Sequence, residues 1–415
     1  MKLSKYNIIK KIDDKGYLVF NTLYCSLVLI RPSDYEDFIN INPYNKLFEV
    51  WKKEKLITDL DDEYSNFLSG KNLDEKMQIL TIFTTTACNA RCEYCFEQGI
   101  KPMIMTRDIA QKIAYKIIDN IRTNKLHITW FGGEPLLNTS AIDIITNIVK
   151  PFCIKNNIKF TSSIITNGSL INDDITKKMV EKWEIKAIQI SFDGIYDDYN
   201  NIKKYVDKSD FNKVVSNIKK LVEAKLNINI RVNFSKQNFS NTIKVIKFFY
   251  DNNLFSNKIN IYFAPISGET NYVKKSEISK MYDMIFEQLY LYGYLKNIKY
   301  FHFNFSMHHC QAGSKYSYSI FPDGKIAKCQ RERPECSSVS IFDDDFLTEL
   351  NNDWIAKTGE DSTKVCQNCA ILPICGYGCR INNFETVSKM HCSKCYMYKD
   401  AFDSIIKILG KCYIK

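Results

Sequence analysis

Short apolar runs separated by polar punctuation open the chain. YNIIKKI (6–12), GYLVFNTL (16–23) and SLVLI (26–30) read as three strands, the first two joined by an Asp-Asp-Lys-Gly turn. Pro32-Ser33-Asp34 then opens a short helix, and NKLFEVWKKEKLI (45–57) places its apolar residues at helical spacing. This β–β–β–α–α order over residues 1–75 predicts a small α+β module of winged-helix-like type.

From 76 to 300 the pattern changes. MQILTIFTT (77–85), HITWFGG (127–133), FTSSIITNG (160–168), AIQISFDG (187–194), NINIRVNFS (227–235) and INIYFAP (259–265) are six strand candidates. Amphipathic stretches such as 106–121 and 211–225 fall between them. Repeated βα units predict an α/β fold with a parallel sheet, and six of them predict a partial (β/α)6, TIM-like barrel. Each candidate strand ends in polar or glycine-rich text (GGEP, TNG, SFDG, VNFS, APIS), at the carboxyl ends where such folds keep their sites. Beyond 300 the regular pattern fades, and residues 301–415 read as a third, cysteine-rich part.

Composition narrows the class. The 415 residues suit two or three domains, and 45% hydrophobic with 25% charged residues excludes wholesale disorder. No apolar run approaches the ~18 residues of a membrane span. The opening residues lack the apolar core of a secretory signal, so the expected location is the cytoplasm. Net charge is +10, but lysines alternate with acidic residues and no run of five or six basic residues occurs. Nor is there a basic module interleaved with aromatics of the kind that grips single-stranded nucleic acid.

Cysteine changes the picture most. There are 15, and ten lie between Cys310 and Cys412. In a reducing compartment such clusters are metal ligands more often than disulfides. Directly after the first barrel strand, TACNARCEYCFEQG sets Cys88, Cys92 and Cys95 at C-x3-C-x2-C spacing. Three thiolates within eight residues can wrap one side of an iron–sulfur cubane. With no fourth cysteine nearby, one iron stays open to an outside ligand. A ferredoxin run has different spacing, and a zinc site needs a fourth ligand close by.

CNARCEYCF resembles the cysteine loop of radical S-adenosylmethionine (SAM) enzymes, with Tyr94 as its aromatic residue. The resemblance implies that SAM chelates the open iron, and that one-electron reduction of the cluster cleaves it to a 5′-deoxyadenosyl radical that abstracts hydrogen from substrate. It implies a GGEP motif at Gly132, Gly133, Glu134 and Pro135, whose glycines admit close backbone approach and whose carboxylate takes the SAM ammonium. Thr166, Asn167, Ser191 and Asp193 at the next two strand ends suit a ribose or carboxylate. Arg231 and Asn233 could reach the SAM carboxylate or ribose, although a lone strand arginine is as often a structural ion pair.

The later cysteines resemble a SPASM extension, which carries two auxiliary [4Fe–4S] clusters. Carried over by that resemblance, Cys310, Cys329 and Cys379 bind the first. Cys366, Cys369, Cys375 and Cys395 bind the second, with Cys392 as the alternative to Cys395. The first cluster's fourth ligand is left open between Cys336, Cys392 and none. Cys25, Cys153 and Cys412 carry no motif.

Together these readings point to a radical SAM/SPASM enzyme acting on a ribosomally made precursor peptide. The N-terminal module resembles the recognition modules of such maturases, which hold a leader segment as an added strand. The product is a thioether or carbon–carbon cross-link at Cα or Cβ, and the electron comes from a flavodoxin or ferredoxin. A sulfatase-type maturase forming formylglycine is the alternative, and a nucleic-acid-modifying enzyme a more remote one. No catalytic side chain stands out in the sequence.

Overall fold

A computed structural model of the chain describes residues 1–68, 77–266, 275–294, 311–358, 369–375, 404–408 and 410. The chain divides into two compact units: Met1–Leu73 with Lys274–Cys310 and Ile355–Lys415, and Asp74–Val273 with Gln311–Trp354.

In the first unit, β1 (Lys2–Leu3) is followed by β2 (Asn7–Ile12), β3 (Gly16–Asn21) and β4 (Ser26–Ile30). The last three form an antiparallel sheet in the order β2-β3-β4. The β2–β3 turn requires a glycine. Gly16 has φ 132°, and a Cβ there would meet the Ile30 carbonyl oxygen at 2.2 Å. Helices Pro32–Ile39 and Phe48–Lys53 follow, the first with its proline at the start, where no N–H is needed. β5 (Ile57–Thr58) then pairs with β1.

β3 is buried on both faces. Val19 joins Ile30, Phe38, Trp51, Leu56 and Ile57 in one core, while Leu18 and Phe20 join Ile371, Ile374 and Ile406 in another. Residues distant in sequence therefore complete the core that the first strands begin.

The second unit contains all six expected barrel strands: β6 (Gln78–Thr85), β7 (Lys125–Gly132), β8 (Lys159–Thr166), β9 (Ile185–Ser191), β10 (Ile228–Phe234) and β11 (Ile259–Pro265). They run parallel in sequential order, as βα units with right-handed crossovers dictate. Helices Arg107–Asp119, Thr139–Lys155, Asp173–Glu181 and Phe211–Glu223 lie between them. Thr106, Asn172 and Asp210 cap three of these helices, each accepting a backbone N–H with its side chain.

The sheet also extends beyond the expected six strands. β12 (Tyr318–Ile320) pairs parallel to β6, and β13 (Ile326–Ala327) pairs antiparallel to β12, giving eight strands in the order β11-β10-β9-β8-β7-β6-β12-β13. Three- and two-residue strands are too short to show a period of two, so the fading pattern after residue 300 concealed them. The strand bearing the cysteine loop is therefore interior to the sheet.

Register separates the two faces of the sheet. Leu80, Ile82, Leu126, Ile128, Trp130, Ile164, Ile188 and Ile190 are buried on one face. The other carries Thr81, His127, Thr129, Thr161, Ser163, Gln189 and Arg231. His127 bridges the Thr161 and Ser163 hydroxyls at 2.9 Å each. Among the described residues no helix is long and apolar enough to cross a membrane.

Candidate active site

The loop after β6 is held at its root. Thr86 N–H donates to the Met103 carbonyl, Met105 N–H to that of Thr84, and the Thr85 and Thr86 hydroxyls to Met103 and Lys101. Between these ties lie Cys88, Cys92 and Cys95, all half-buried and free of disulfides. Burial pushes the Cys88 thiol up to about 12 and that of Cys95 to about 11, and it raises Cys92 as well. Among the described residues no three of His, Cys, Asp and Glu converge on a single metal ion. A cubane does not require that, because each thiolate meets a different iron.

The two glycines at the end of β7 have a specific steric role. Gly133 N–H donates to the Thr85 carbonyl at 3.0 Å and Glu134 N–H to that of Ala87 at 2.9 Å. A Cβ on Gly132 would lie 2.1 Å from the Thr85 oxygen, and one on Gly133 2.3 Å from the Ala87 oxygen. The close approach is thus to the root of the cysteine loop itself. Pro135 continues this contact, its carbonyl accepting from the Thr84 hydroxyl at 3.1 Å.

Glu134 is fully buried. Oε1 accepts from the Thr166 hydroxyl at 2.7 Å and Leu136 N–H at 3.1 Å, and Oε2 from Asn167 N–H at 2.8 Å. Burial outweighs these bonds and pushes the carboxyl up to about 7. The Asn167 side chain donates to Asn89 Oδ1 at 2.8 Å and approaches Cys88 Sγ at 4.0 Å. Glu134, Thr166, Asn167 and the cysteine loop therefore form one hydrogen-bonded group.

A second group joins the remaining expected residues. Asp193 is fully buried: Oδ2 accepts from the Tyr94 hydroxyl and from Lys203 Nζ, and Oδ1 from the backbone and side-chain N–H of Asn233 at 2.8 Å each. Ser191 accepts from Lys203 at 2.8 Å, and Arg231 donates to Asn233 Oδ1 at 2.8 Å. Burial raises the Tyr94 hydroxyl well above its usual range, and the Asp193 charge adds to the effect.

Sequence reasoning missed four participants. Asn89 and Glu97 stand within the cysteine motif, where the cysteines drew attention. Lys203 and Asp207 carry no local signal among many lysines and aspartates. Glu97 offers a test of fit for a cationic cofactor. Its Oε1 is buried with no hydrogen-bond partner, and burial together with the Glu134 charge pushes the carboxyl up to about 8. An orphaned acceptor beside a second carboxylate suits a sulfonium- and ammonium-bearing ligand.

Of the later cysteines, Cys329 is half-buried in the second unit, its Sγ accepting from Arg331 N–H at 3.4 Å, and Cys336 is exposed. Cys369 is half-buried in the first unit against the Leu18–Phe20 core. Cys375 ends the short helix Leu372–Cys375. Cys310, Cys366, Cys379, Cys392 and Cys395 lie outside the described residues.

Residues 82–249 match the family model of the radical SAM superfamily. The chain is 27% identical over 330 residues to the cysteine-type anaerobic sulfatase-maturating enzyme of Clostridium novyi (strain NT), an alignment covering 71% of this chain and 85% of that one. It is 26% identical over 245 residues to the radical SAM cyclopropyl synthase TigE of Paramaledivibacter caminithermalis, covering 46% and 48%. Its fold resembles that of anSMEcpe with bound AdoMet and Kp18Cys peptide, with TM-score 0.63 and 20% identity over 82% of this chain and all of that one. It also resembles Streptococcus suis SuiB bound to its precursor peptide SuiA, with TM-score 0.54 and 17% identity over 94% and 99%. With its cysteine loop at the end of the first barrel strand, the chain carries a radical SAM domain over residues 82–249 and is an enzyme related to sulfatase maturases and peptide-modifying enzymes.

Proposed function

We propose that the enzyme modifies a ribosomally made precursor peptide, joining a Cα or Cβ to a cysteine sulfur or to another carbon. The observation that carries this reading is the three-stranded antiparallel sheet of the first unit, in which β2 and β4 are the outer strands. An outer strand can pair with an extended leader segment, with main-chain bonds giving affinity and side-chain pockets giving selectivity. The polar sheet face of Thr129, Ser163, Gln189 and Arg231 suits a peptide backbone next to the cofactor better than an apolar lining would.

In this reading Cys88, Cys92 and Cys95 hold the [4Fe–4S] cluster. Gly132, Gly133, Glu134 and Pro135, with Tyr94, Thr166, Asn167, Ser191, Asp193, Arg231 and Asn233, form the SAM site. Bound there, cluster and SAM together supply a carbon-centred radical able to abstract a hydrogen atom from the peptide. The chain's own residues bind, orient and exclude water. Glu134 fixes the β7 and β8 ends, Asp193 fixes Tyr94 and Asn233, and Glu97 would offer its unpartnered Oε1 to a cationic cofactor. Cys310, Cys329, Cys379, Cys366, Cys369, Cys375 and Cys395 would hold two auxiliary clusters, which would offer an acceptor for the electron left on the product, and the initiating electron would come from a flavodoxin or ferredoxin.

Formylglycine formation is the second reading, favoured by the similarity to the Clostridium novyi enzyme. Anaerobic incubation with a cysteine-rich precursor peptide and with a sulfatase-derived cysteine peptide separates the two by mass spectrometry. A cross-linked product that has lost two hydrogens supports the first. An aldehyde on the sulfatase peptide alone replaces it with the second.

A further inference from the structure

A helix ends where the cysteine loop needs an anchor. Tyr196–Lys203 stops because Lys204 turns left-handed, at φ 47° and ψ 59°. The last carbonyls of a helix have no partner within it. That of Lys203 accepts Arg91 N–H at 2.8 Å and lies 3.9 Å from Cys92 Sγ. Just beyond, Val206 N–H donates to the Asn89 carbonyl at 2.9 Å, and Asp207 Oδ2 accepts from Asn89 Nδ2 at 2.7 Å. Residues 203–207 thus grip positions 89 and 91 of the loop.

The Lys203 side chain reinforces that grip. It is 1% exposed, and its ammonium donates to Asp193 Oδ2 at 2.6 Å, Ser191 Oγ at 2.8 Å and the Tyr94 hydroxyl oxygen at 3.0 Å. An ammonium has three hydrogens, and each has an acceptor. Burying such an ion costs several kcal/mol unless pairing and hydrogen bonds offset it.

We propose that Lys203 is a positioning residue for the cysteine loop: its carbonyl fixes the loop backbone at Arg91, and its ammonium locks the Tyr94 phenol against Asp193, placing a permanent positive charge beside the cluster. This rests on the assignment of Cys88, Cys92 and Cys95 to a cluster. Without the ammonium the loop loses a nearby positive charge, and that loss opposes adding an electron to the cluster.

Full-length Lys203→Met and Lys203→Arg, reconstituted anaerobically with iron and sulfide, test this by redox titration of the SAM-responsive cluster signal. The expected result is a shift of at least about tenfold toward the oxidised cluster in Lys203→Met, about 59 mV for one electron, with Lys203→Arg retaining the unaltered value. An unchanged potential in folded, iron-replete Lys203→Met overturns the proposal. If that variant does not fold, amide exchange on the unaltered chain decides. The Arg91 and Val206 amides stay protected after iron is chelated if the clamp is built into the protein, and free exchange of both overturns it. Failure of the unaltered chain to take up iron at the loop instead removes the cluster assignment.

Discussion

The backbone N–H of Asn167 meets the Glu134 carboxylate at 2.8 Å and ties the turn after β8 to the turn after β7. Altering Glu134 therefore disturbs both turns. Glu134→Ala leaves Leu136, Thr166 and Asn167 without an acceptor in a closed site, a cost of about 2–4 kcal/mol. The expected outcome is a lower unfolding midpoint together with weaker SAM binding, measured by calorimetry on reconstituted protein. Unchanged SAM affinity would remove Glu134 from the cofactor site while leaving it a structural tie.

Gly133→Ala tests the steric argument. Its Cβ would fall 2.3 Å from the Ala87 carbonyl oxygen, and the neighbouring atoms are all backbone of Thr86 and Ala87, which leaves little room to relax. A destabilisation of about 3 kcal/mol is expected, with reduced iron uptake at the loop, read by denaturant unfolding and iron analysis. Gly99→Ala is the control. Its nearest contact is an arginine side chain at 3.6 Å, so its cost comes only from a φ of 77°.

Stability of the cluster-free chain should depend on pH in a stated direction. Glu134 and Glu97 are raised from 4.5 to about 7 and about 8. The folded chain therefore holds protons that the unfolded chain releases. Stability is fully present below about pH 4.5 for these two groups and is lost as pH rises through 7 and 8. Glu97→Gln should flatten the upper part of that fall in thermal melts run across the range. An unaltered slope would mean that Glu97 is ionised in the folded state.

Much of the barrel was legible because its strands are long enough to show their period and its helices carry caps such as Asp210. The cysteine loop and the GGEP turn were legible because their residue types are rare in that order. Lys203 was not, since its role depends on where a helix happens to end. The approach of Gly132 and Gly133 to Thr85 and Ala87 was not either, because a glycine pair does not say what comes close. The union of Phe20 with Ile374 and Ile406 joins residues more than about 350 positions apart, beyond the reach of any local pattern.

Iron content tests the loop and the extension together. If both auxiliary clusters form, reconstituted protein holds about twelve irons, three cubanes. Replacing Cys88, Cys92 and Cys95 with alanine together should remove about a third of them and abolish SAM cleavage. Iron analysis that shows no loss would dismiss the loop assignment.

Phe20→Ala should cost about 3–5 kcal/mol, since the ring is 2% exposed within a shared core. Limited proteolysis should then cut faster around residues 369–375 as well as near the substitution. Cleavage confined to the first 68 residues would show that the two segments are energetically independent.

The two-sided burial of β3 also imposes an order on biosynthesis. One face of this strand finds its packing partners only after Ile406 has been synthesised. The sheet proposed to greet the leader peptide thus stays unfinished until Ile371, Ile374 and Ile406 have all been translated.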